Sequence, residues 1–506
     1  MTASGTEGPS SESEDDPDSN SSSRLPRGLV VAYGTGQAAE GVANYLLTSL
    51  LLFYYTSVLG LSGQLAGLAL MLGFIFDAVT DPLIAVASDR TRSRWGRRHP
   101  YLFASAIPLG AGLMLAFRPP EFVSSQSDLF LWLLTVVVMI RAAITLFHVP
   151  HMALGAELST NYDERTRVVT ARSIAGIIGT ATIISFYFGL LSVYETASYP
   201  DVRLNPEPYD LYAQVAGWAA GAIVVVSALG TLSAIPHMKG PSERAEAQSL
   251  IRVALGDLAA TLRIPSFRAL VIGLTLCSLS WGFSGAMQTH LALYFWHVSI
   301  EVQGIAGLSL TLGIMGGMIF WRRLAERTDK KRAFLLGMAW YTGFAALGPL
   351  AKVAGFFPTE DTPRYAAVYA GVSVLTAFGI AAQIVVSASM MADVSDEDEL
   401  ASGIRREGIF FGAHSFATKV ANGIGAVFGG ILYEFVGLTK GVAPVDAPAN
   451  AGTQLGLASG LLIAVLVGAG TLYLRRYDLS RERHATIRAE LDARAKAASP
   501  TGSGTG

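Results

Sequence analysis

The sequence predicts an all-α membrane protein: about twelve transmembrane helices in two pseudo-symmetric six-helix bundles, both termini cytoplasmic. Three observations lead there. Hydrophobic residues make up 51% of the 506 residues and charged residues only 15%, with a positive mean hydropathy, a composition of membrane rather than soluble proteins. Apolar runs long enough to cross a ~30 Å hydrocarbon core recur about twelve times. The loops between them alternate between rich and poor in Lys and Arg.

Taken in order, the first half places spans near 29–59, 64–88, 101–117, 129–154, 169–191 and 213–235. The second half places them near 267–296, 302–320, 333–353, 365–391, 408–432 and 455–474. Gly and Pro inside these runs suit helices that pack closely or bend. After the second span come Arg90, Arg92, Arg94, Arg97 and Arg98. After the eighth come Arg322, Arg323, Arg327, Lys330, Lys331 and Arg332. Arg165 and Arg167 follow the fourth span, and Arg475 and Arg476 the last. The intervening loops are poor in Lys and Arg, so the positive-inside rule puts both termini in the cytoplasm.

The two halves echo each other: Asp89-Arg90-Thr91 follows the second span and Glu326-Arg327-Thr328 the eighth. Any cytoplasmic loop is basic, but the acid–Arg–Thr order at matching positions points to a repeat. The expected organisation is a disordered tail (1–27), an N-terminal bundle (28–235), a cytoplasmic linker (236–266), a C-terminal bundle (267–476) and a tail (477–506). The first residues are rich in Ser, Asp and Glu, cannot bury enough surface to fold, and lack the pattern of a cleavable signal. Ile251, Leu255, Leu258 and Leu262 give the linker the pattern of an amphipathic surface helix. The stretch 480–497 reads as a solvated tail helix without chemistry, which Ser480 could cap. The single cysteine, Cys277, excludes an internal disulfide and reads as a core residue.

Asp77 and Asp81 are the most informative residues. They lie four apart in an apolar segment, so a helix stacks both carboxylates on one face. Charges at bilayer depth are costly and face partners or an aqueous path. Two stacked carboxylates hold a cation or a proton, which suggests ion coupling; the structural alternative is that Asp81 only caps a kink before Pro82. Lys419 lies near the middle of the eleventh run, where it either opposes those acids or snorkels to an interface. Arg141 is near the middle of the fourth span, and Arg141, Thr145 and His148 share a face by their spacing. Arg141 could bind an anionic group of a substrate or pair internally with Glu40 on the first span.

These stretches resemble a known family. FDAVTDP with SDRTRSRWGRRHPYL, YYTSVLGLS at 54–62, VPHMALGAEL with DERTRVVTAR, and MADVSDEDELASGIRREGIFFGAHSFATKVANGIG at 391–425 resemble the glycoside–pentoside–hexuronide:cation symporters, a branch of the major facilitator superfamily. The animal lysophosphatidylcholine symporters are relatives that share the DAxTDP pattern and the lysine of the eleventh helix. The resemblance implies the major facilitator fold. It assigns Asp77, Asp81 and Thr145, with Thr80 at a polar position beside them, to the coupling-cation site, where Asp77 and Asp81 could hold sodium. It also places the Lys419 ammonium next to those acids as the coupling residue. Arg172 matches a family arginine near the cytoplasmic end of the cavity. Arg405 and Glu407 match an R-x-E motif and, with Asp393 and Asp396, suggest a gate or structural network. Asp89, Arg90, Arg97, Arg98, Glu326 and Arg327 are the remaining gate candidates. Substrate contacts are expected from Arg141, His148, Arg172, Glu40 and Asn44.

The chain departs from the family's well-known sugar permeases at two positions. Their fourth helix has an acid where this chain has His148, and their first helix has an acid that aligns with Gly41, next to Glu40. Galactoside specificity is therefore not implied. The expected function is a sodium- or proton-coupled symporter, not an enzyme, moving a sugar, glycoside or uronide. The alternatives are a lysophospholipid or other anionic amphiphile as cargo, or a non-transporting receptor or scaffold. The expected setting is a multi-pass monomer in the cytoplasmic membrane, with no cofactor beyond the coupling ion. A net charge of −2 gives no basis for nucleic-acid binding.

Overall fold

The computed structural model describes residues 24–159, 161–194, 199, 201–237, 262–360, 362–404 and 406–498. Twelve helices among them are long and apolar enough to cross a membrane. The N-terminal six are α1 Arg27–Leu59, α2 Gly63–Arg90, α3 His99–Ala116, α4 Gln126–Glu157, α5 Glu164–Val193 and α6 Glu207–Pro236. The C-terminal six are α7 Pro265–Phe295, α8 Ile300–Arg327, α9 Lys330–Val353, α10 Pro363–Ser402, α11 Glu407–Phe435 and α12 Ala451–Leu474. A further helix, α13, spans Arg481–Ala498. Most of the expected linker helix, with Ile251, Leu255 and Leu258, lies outside the described residues, as does most of the N-terminal tail.

Several helices outrun their apolar segments. α10 continues through Asp393–Glu399 to Ser402 and stops at Gly403, whose φ of 72° is the left-handed conformation that glycine adopts without strain. Hydropathy alone ended it near 391, because a helix that leaves the membrane keeps its backbone bonds while its side chains turn polar. α1 contains two π-helical turns, Leu46–Leu50 and Tyr54–Leu59, which the periodicity did not signal. Gly60, at φ 86°, ends it.

The interface between the halves is built mainly by α2 against α11, α5 against α8, and α1 against α7. On the α2–α11 side, Gly63 faces the backbone of Gly430, and Gly67 that of Ala426 and Val427. A side chain at either would collide with main chain, so small residues let the helices approach there. Contacts joining the halves concentrate at the end of the bundle away from the basic loops. Thr56 Oγ1 meets His290 Nε2 at 3.0 Å, and Gly441 donates its backbone N–H to Ser57 (2.8 Å). Ser62 donates to Glu434. Arg203, buried in the α5–α6 connection, donates to Gln303 of α8 (2.8 Å) and to the Val298 carbonyl (3.0 Å).

At the basic-loop end, the described ion pairs stay within one half. Arg98 pairs with Asp89 and with Glu157 (2.9 Å), and Arg97 also pairs with Glu157 (2.8 Å). In the C-terminal half, Lys330 holds Asp393 (2.7 Å) and Arg322 holds Glu326 (2.8 Å). The tail helix corrects its expected role. α13 is not merely solvated: His484 reaches Asp396 (3.0 Å) and Asp393 (3.3 Å), Arg483 reaches Glu397 (2.9 Å), and Arg488 reaches Asp396 (3.5 Å). Its charges had looked like solvent-facing ones because their partners lie almost a hundred residues earlier on the extension of α10. Ser480 does accept from the Arg483 N–H (3.3 Å), as its capping position predicts.

Candidate functional site

The spacing of Asp77 and Asp81 puts both carboxylates on the face of α2 that meets α4 and α11. Thr145, on α4, places its hydroxyl 2.7 Å from Asp77 Oδ1 and 3.1 Å from Asp81 Oδ1. It has one proton, so it donates to one of them at a time. Thr80 back-bonds to the Phe76 carbonyl (2.9 Å) and sits 3.4 Å from the Thr145 hydroxyl, at the rim of the cluster. Lys419 enters from α11, in the other half. Its ammonium lies 2.8 Å from Asp77 Oδ2 and contacts Asp81 directly. Asp77 is buried; Asp81 and Lys419 are partly open.

Arg141 joins the same cluster. Its Nη1 is 3.7 Å from Asp77 Oδ2, and its guanidinium lies over the Phe74 ring, 4.0 Å from the ring centre. The side chain is 5% exposed, and its Nε finds no acceptor among the described residues. Its stem runs past Gly73, where a Cβ would already touch it. The Arg141–Glu40 pair weighed in the sequence does not form here. The spacing of Arg141, Thr145 and His148 fixed a face of α4 but not which neighbour opposes each turn of it. The N-terminal part of that face meets α2, and the next turns meet α1.

Glu40 pairs with His148 instead, at 2.7 Å from Nδ1. Gln37 also donates to Glu40 (2.6 Å), and Asn44 Nδ2 lies 3.4 Å from its other oxygen. This second cluster joins α1 to α4 one turn beyond Thr145, and His148 is a third exposed. His151, one turn further, is buried, stacks on Tyr33 and Phe147, and lies 2.9 Å from the Tyr33 carbonyl. It is a packing residue that the fourth helix's pattern did not distinguish from His148. Arg172, on α5, lies against Tyr33 and the Met152 sulfur.

The gate candidates divide differently. Asp89 pairs with Arg98, and Arg97 and Arg98 both converge on Glu157, the last residue of α4, which nothing in the sequence singles out. Glu326 binds Arg322 one turn away on its own helix. Arg405 lies outside the described residues. Among the described residues, Lys330, His484 and Arg488 hold Asp393 and Asp396, and Arg406 takes Asp398 at 2.6 Å.

The two clusters are chemically distinct. The first sets two carboxylates against two cations, with one hydroxyl between the acids. In the low-dielectric interior such an arrangement is stable only while charges stay matched, so loss or arrival of one cation must be answered by another. The second is a polar patch of carboxylate, imidazole and amides, suited to hydrogen-bonding a polar ligand.

The family described as "MFS/sugar transport protein" matches residues 32–481, and the chain belongs to it. It is therefore a transporter of the major facilitator superfamily and an integral, multi-pass membrane protein, not an enzyme. It is 25% identical to the glucuronide carrier protein homolog of Escherichia coli, over 78% of this chain and 81% of that one. It is 24% identical to the human sodium-dependent lysophosphatidylcholine symporter 1, over 86% and 80%. The fold is similar to that of the xylose transporter XylE from E. coli, with a TM-score of 0.56 at 12% identity, over 90% of this chain and 98% of that structure.

Proposed function

We propose that the protein is a secondary active symporter that moves a small organic substrate with a coupling cation by alternating access. The observation that carries this is Lys419, from the C-terminal half, seated between Asp77 and Asp81 of the N-terminal half. A cation arriving at Asp77, Asp81 and Thr145 competes with the ammonium for the same oxygens. Displacing Lys419 removes an ion pair that ties the halves together, so ion binding changes the balance between their two arrangements. Thr80 borders this site.

With both termini cytoplasmic, the basic loops face the cytoplasm. The end held shut by Arg203, Thr56, His290 and Glu434 is then the extracellular one. The arrangement corresponds to a state closed to the outside, and Asp89, Arg97, Arg98 and Glu157 brace the cytoplasmic end of the N-terminal half for its movement as a unit. Glu40, Asn44 and His148 form the substrate patch, with Arg172 at its cytoplasmic side. Hydroxyl-bearing cargo (a sugar, glycoside or uronide) suits this set of acceptors and donors, and a glucuronide carrier homologue is among the relatives. A lysolipid is the second reading, favoured by the likeness to the human lysophosphatidylcholine symporter.

Reconstitution into proteoliposomes tests the proposal. Substrate should accumulate above its external concentration when a sodium or proton gradient is imposed. Equilibration without accumulation, under every ion gradient, defeats it.

A further inference from the structure

Two cations face Asp77 and Asp81, and they are held in different ways. Lys419 belongs to α11 of the opposite half, is 23% exposed at its side chain, and can leave when the halves separate. Arg141 cannot leave in the same way. It sits on α4, one turn from Thr145, packed over Phe74 and past Gly73 of α2, within the half that carries both acids. Its positive charge is permanent at any working pH. Among the described residues Asp77 is its one ion-pair partner, and its buried Nε finds no acceptor.

We infer that Arg141 sets the ion selectivity of this site: it is a built-in cation that weakens the hold of Asp77 and Asp81 on a metal ion such as sodium. The inference rests on reading these residues as the coupling-cation site. The charged groups around that site are Asp77 and Asp81 from α2, Arg141 and His148 from α4, Lys419 from α11, and Glu40 from α1 behind His148. Once Lys419 leaves, Asp77 still faces the guanidinium, with Asp81 one turn away on the same helix. A metal ion on Asp77 comes within a few ångströms of a second positive charge that does not move away. Repulsion at about 4–5 Å in a partly screened interior corresponds to a loss of on the order of tenfold or more in affinity. The donor set is also lean for sodium: two carboxylates and Thr145, with the Thr80 hydroxyl turned to its own helix. Arg141 thus acts through Asp77, as a positioning charge and not as a ligand.

The test is sodium-dependent thermal stability of the purified protein, with choline chloride holding ionic strength constant. A ligand that binds only the folded state raises the melting temperature by mass action. The wild type should show no sodium-specific rise up to about 100 mM. Arg141→Gln and Arg141→Met should respond at sodium concentrations at least about tenfold lower, and Arg141→Lys should behave as the wild type. A wild-type response in the low-millimolar range overturns the inference, and so does a failure of the folded neutral variants to gain one. If the neutral variants do not fold, Lys419→Ala decides together with the wild type. It keeps Arg141 and should remain sodium-insensitive; a low-millimolar response in it also overturns the inference. The symport reading fails separately, by loss of all gradient-driven accumulation in proteoliposomes.

Discussion

The Lys419 ammonium lies 2.8 Å from the Asp77 carboxylate, although the two residues are on opposite halves of the molecule and more than three hundred positions apart. Lys419 also pairs with Asp81, so its contacts between the halves fall on the acids best placed to bind a cation. Lys419→Ala removes the counter-charge that must return when the cation leaves. Gradient-driven accumulation in proteoliposomes should fall at least about tenfold, since losing one member of a buried ion-pair network costs several kcal/mol. Wild-type cation dependence of counterflow in this variant would show that Lys419 is only structural.

Asp77 and Asp81 should separate in their effects. Both Asp→Asn variants should abolish accumulation. Asp77, buried between Lys419, Arg141 and Thr145, should also cost stability, by about 3 kcal/mol, because Arg141 is left buried without a counter-charge. Asp81 is partly exposed and its loss leaves Arg141 paired, so Asp81→Asn should melt close to the wild type. The melting temperatures of the two variants check this, and equal losses would contradict the assigned environments.

Much of this cluster was legible in the sequence, for a physical reason. Charges inside apolar runs are so costly that each must meet a partner, and helical spacing fixes which of them share a face. Asp77, Asp81, Thr145 and Lys419 converge accordingly. Arg141 and Glu40 also stand out in the sequence, but the partner each one takes does not. It depends on the rotation of α4 against α1 and α2, set by packing such as the Arg141 stem at Gly73. The docked tail was hidden for a similar reason. Asp393 and Asp396 stand out in the sequence as members of a gate or network, but nothing there shows that α10 carries them and Glu397, still helical, to the side of α13. Arg203 lies in one of the loops poor in Lys and Arg, where nothing in the sequence shows that it is buried.

The tail has a measurable role. Ending the chain before Arg481 removes His484, Arg483 and Arg488 from three acids of α10. Asp396 and Glu397 would be left without these partners, and Asp393 with Lys330 alone. Loss of such charge-assisted bonds, partly replaced by water, should lower stability by about 1–3 kcal/mol. Thermal melting of the truncated protein checks this, and an unchanged melting temperature would return the tail to a solvated role.

Glu40→Gln tests the substrate patch. It keeps the shape of the residue but removes the charge that faces His148, and it turns one of the two oxygens that accept from Gln37 and Asn44 into an amide donor. Substrate affinity in counterflow should weaken about tenfold, as expected for loss of a charge-assisted hydrogen bond, while accumulation at saturating substrate persists. If affinity is unchanged and only stability falls, the pair serves to join α1 to α4.

Arg203 offers the clearest test of alternating access. It is buried in the α5–α6 connection and held by Asp201 (2.7 Å), and it reaches across to Gln303 and the Val298 carbonyl of the other half. Burial opposes its charge, but the Asp201 carboxylate outweighs that and raises its pKa. The guanidinium therefore stays charged in the closed arrangement, and opening that end must break both cross-half bonds. Each bond from a charged donor contributes about 1.5–3 kcal/mol to the closed state. Arg203→Gln should accordingly shift the population of states toward opening at this end by tenfold or more. A cysteine placed at Thr56, which faces His290 at the same seam, reports the shift by its rate of labelling with a membrane-impermeant reagent. Against a background with the native Cys277 replaced by Ala, labelling should be faster when Arg203 is Gln than when it is Arg. Equal labelling rates, with both proteins folded and inserted, would mean that the Arg203 contact does not hold this end closed.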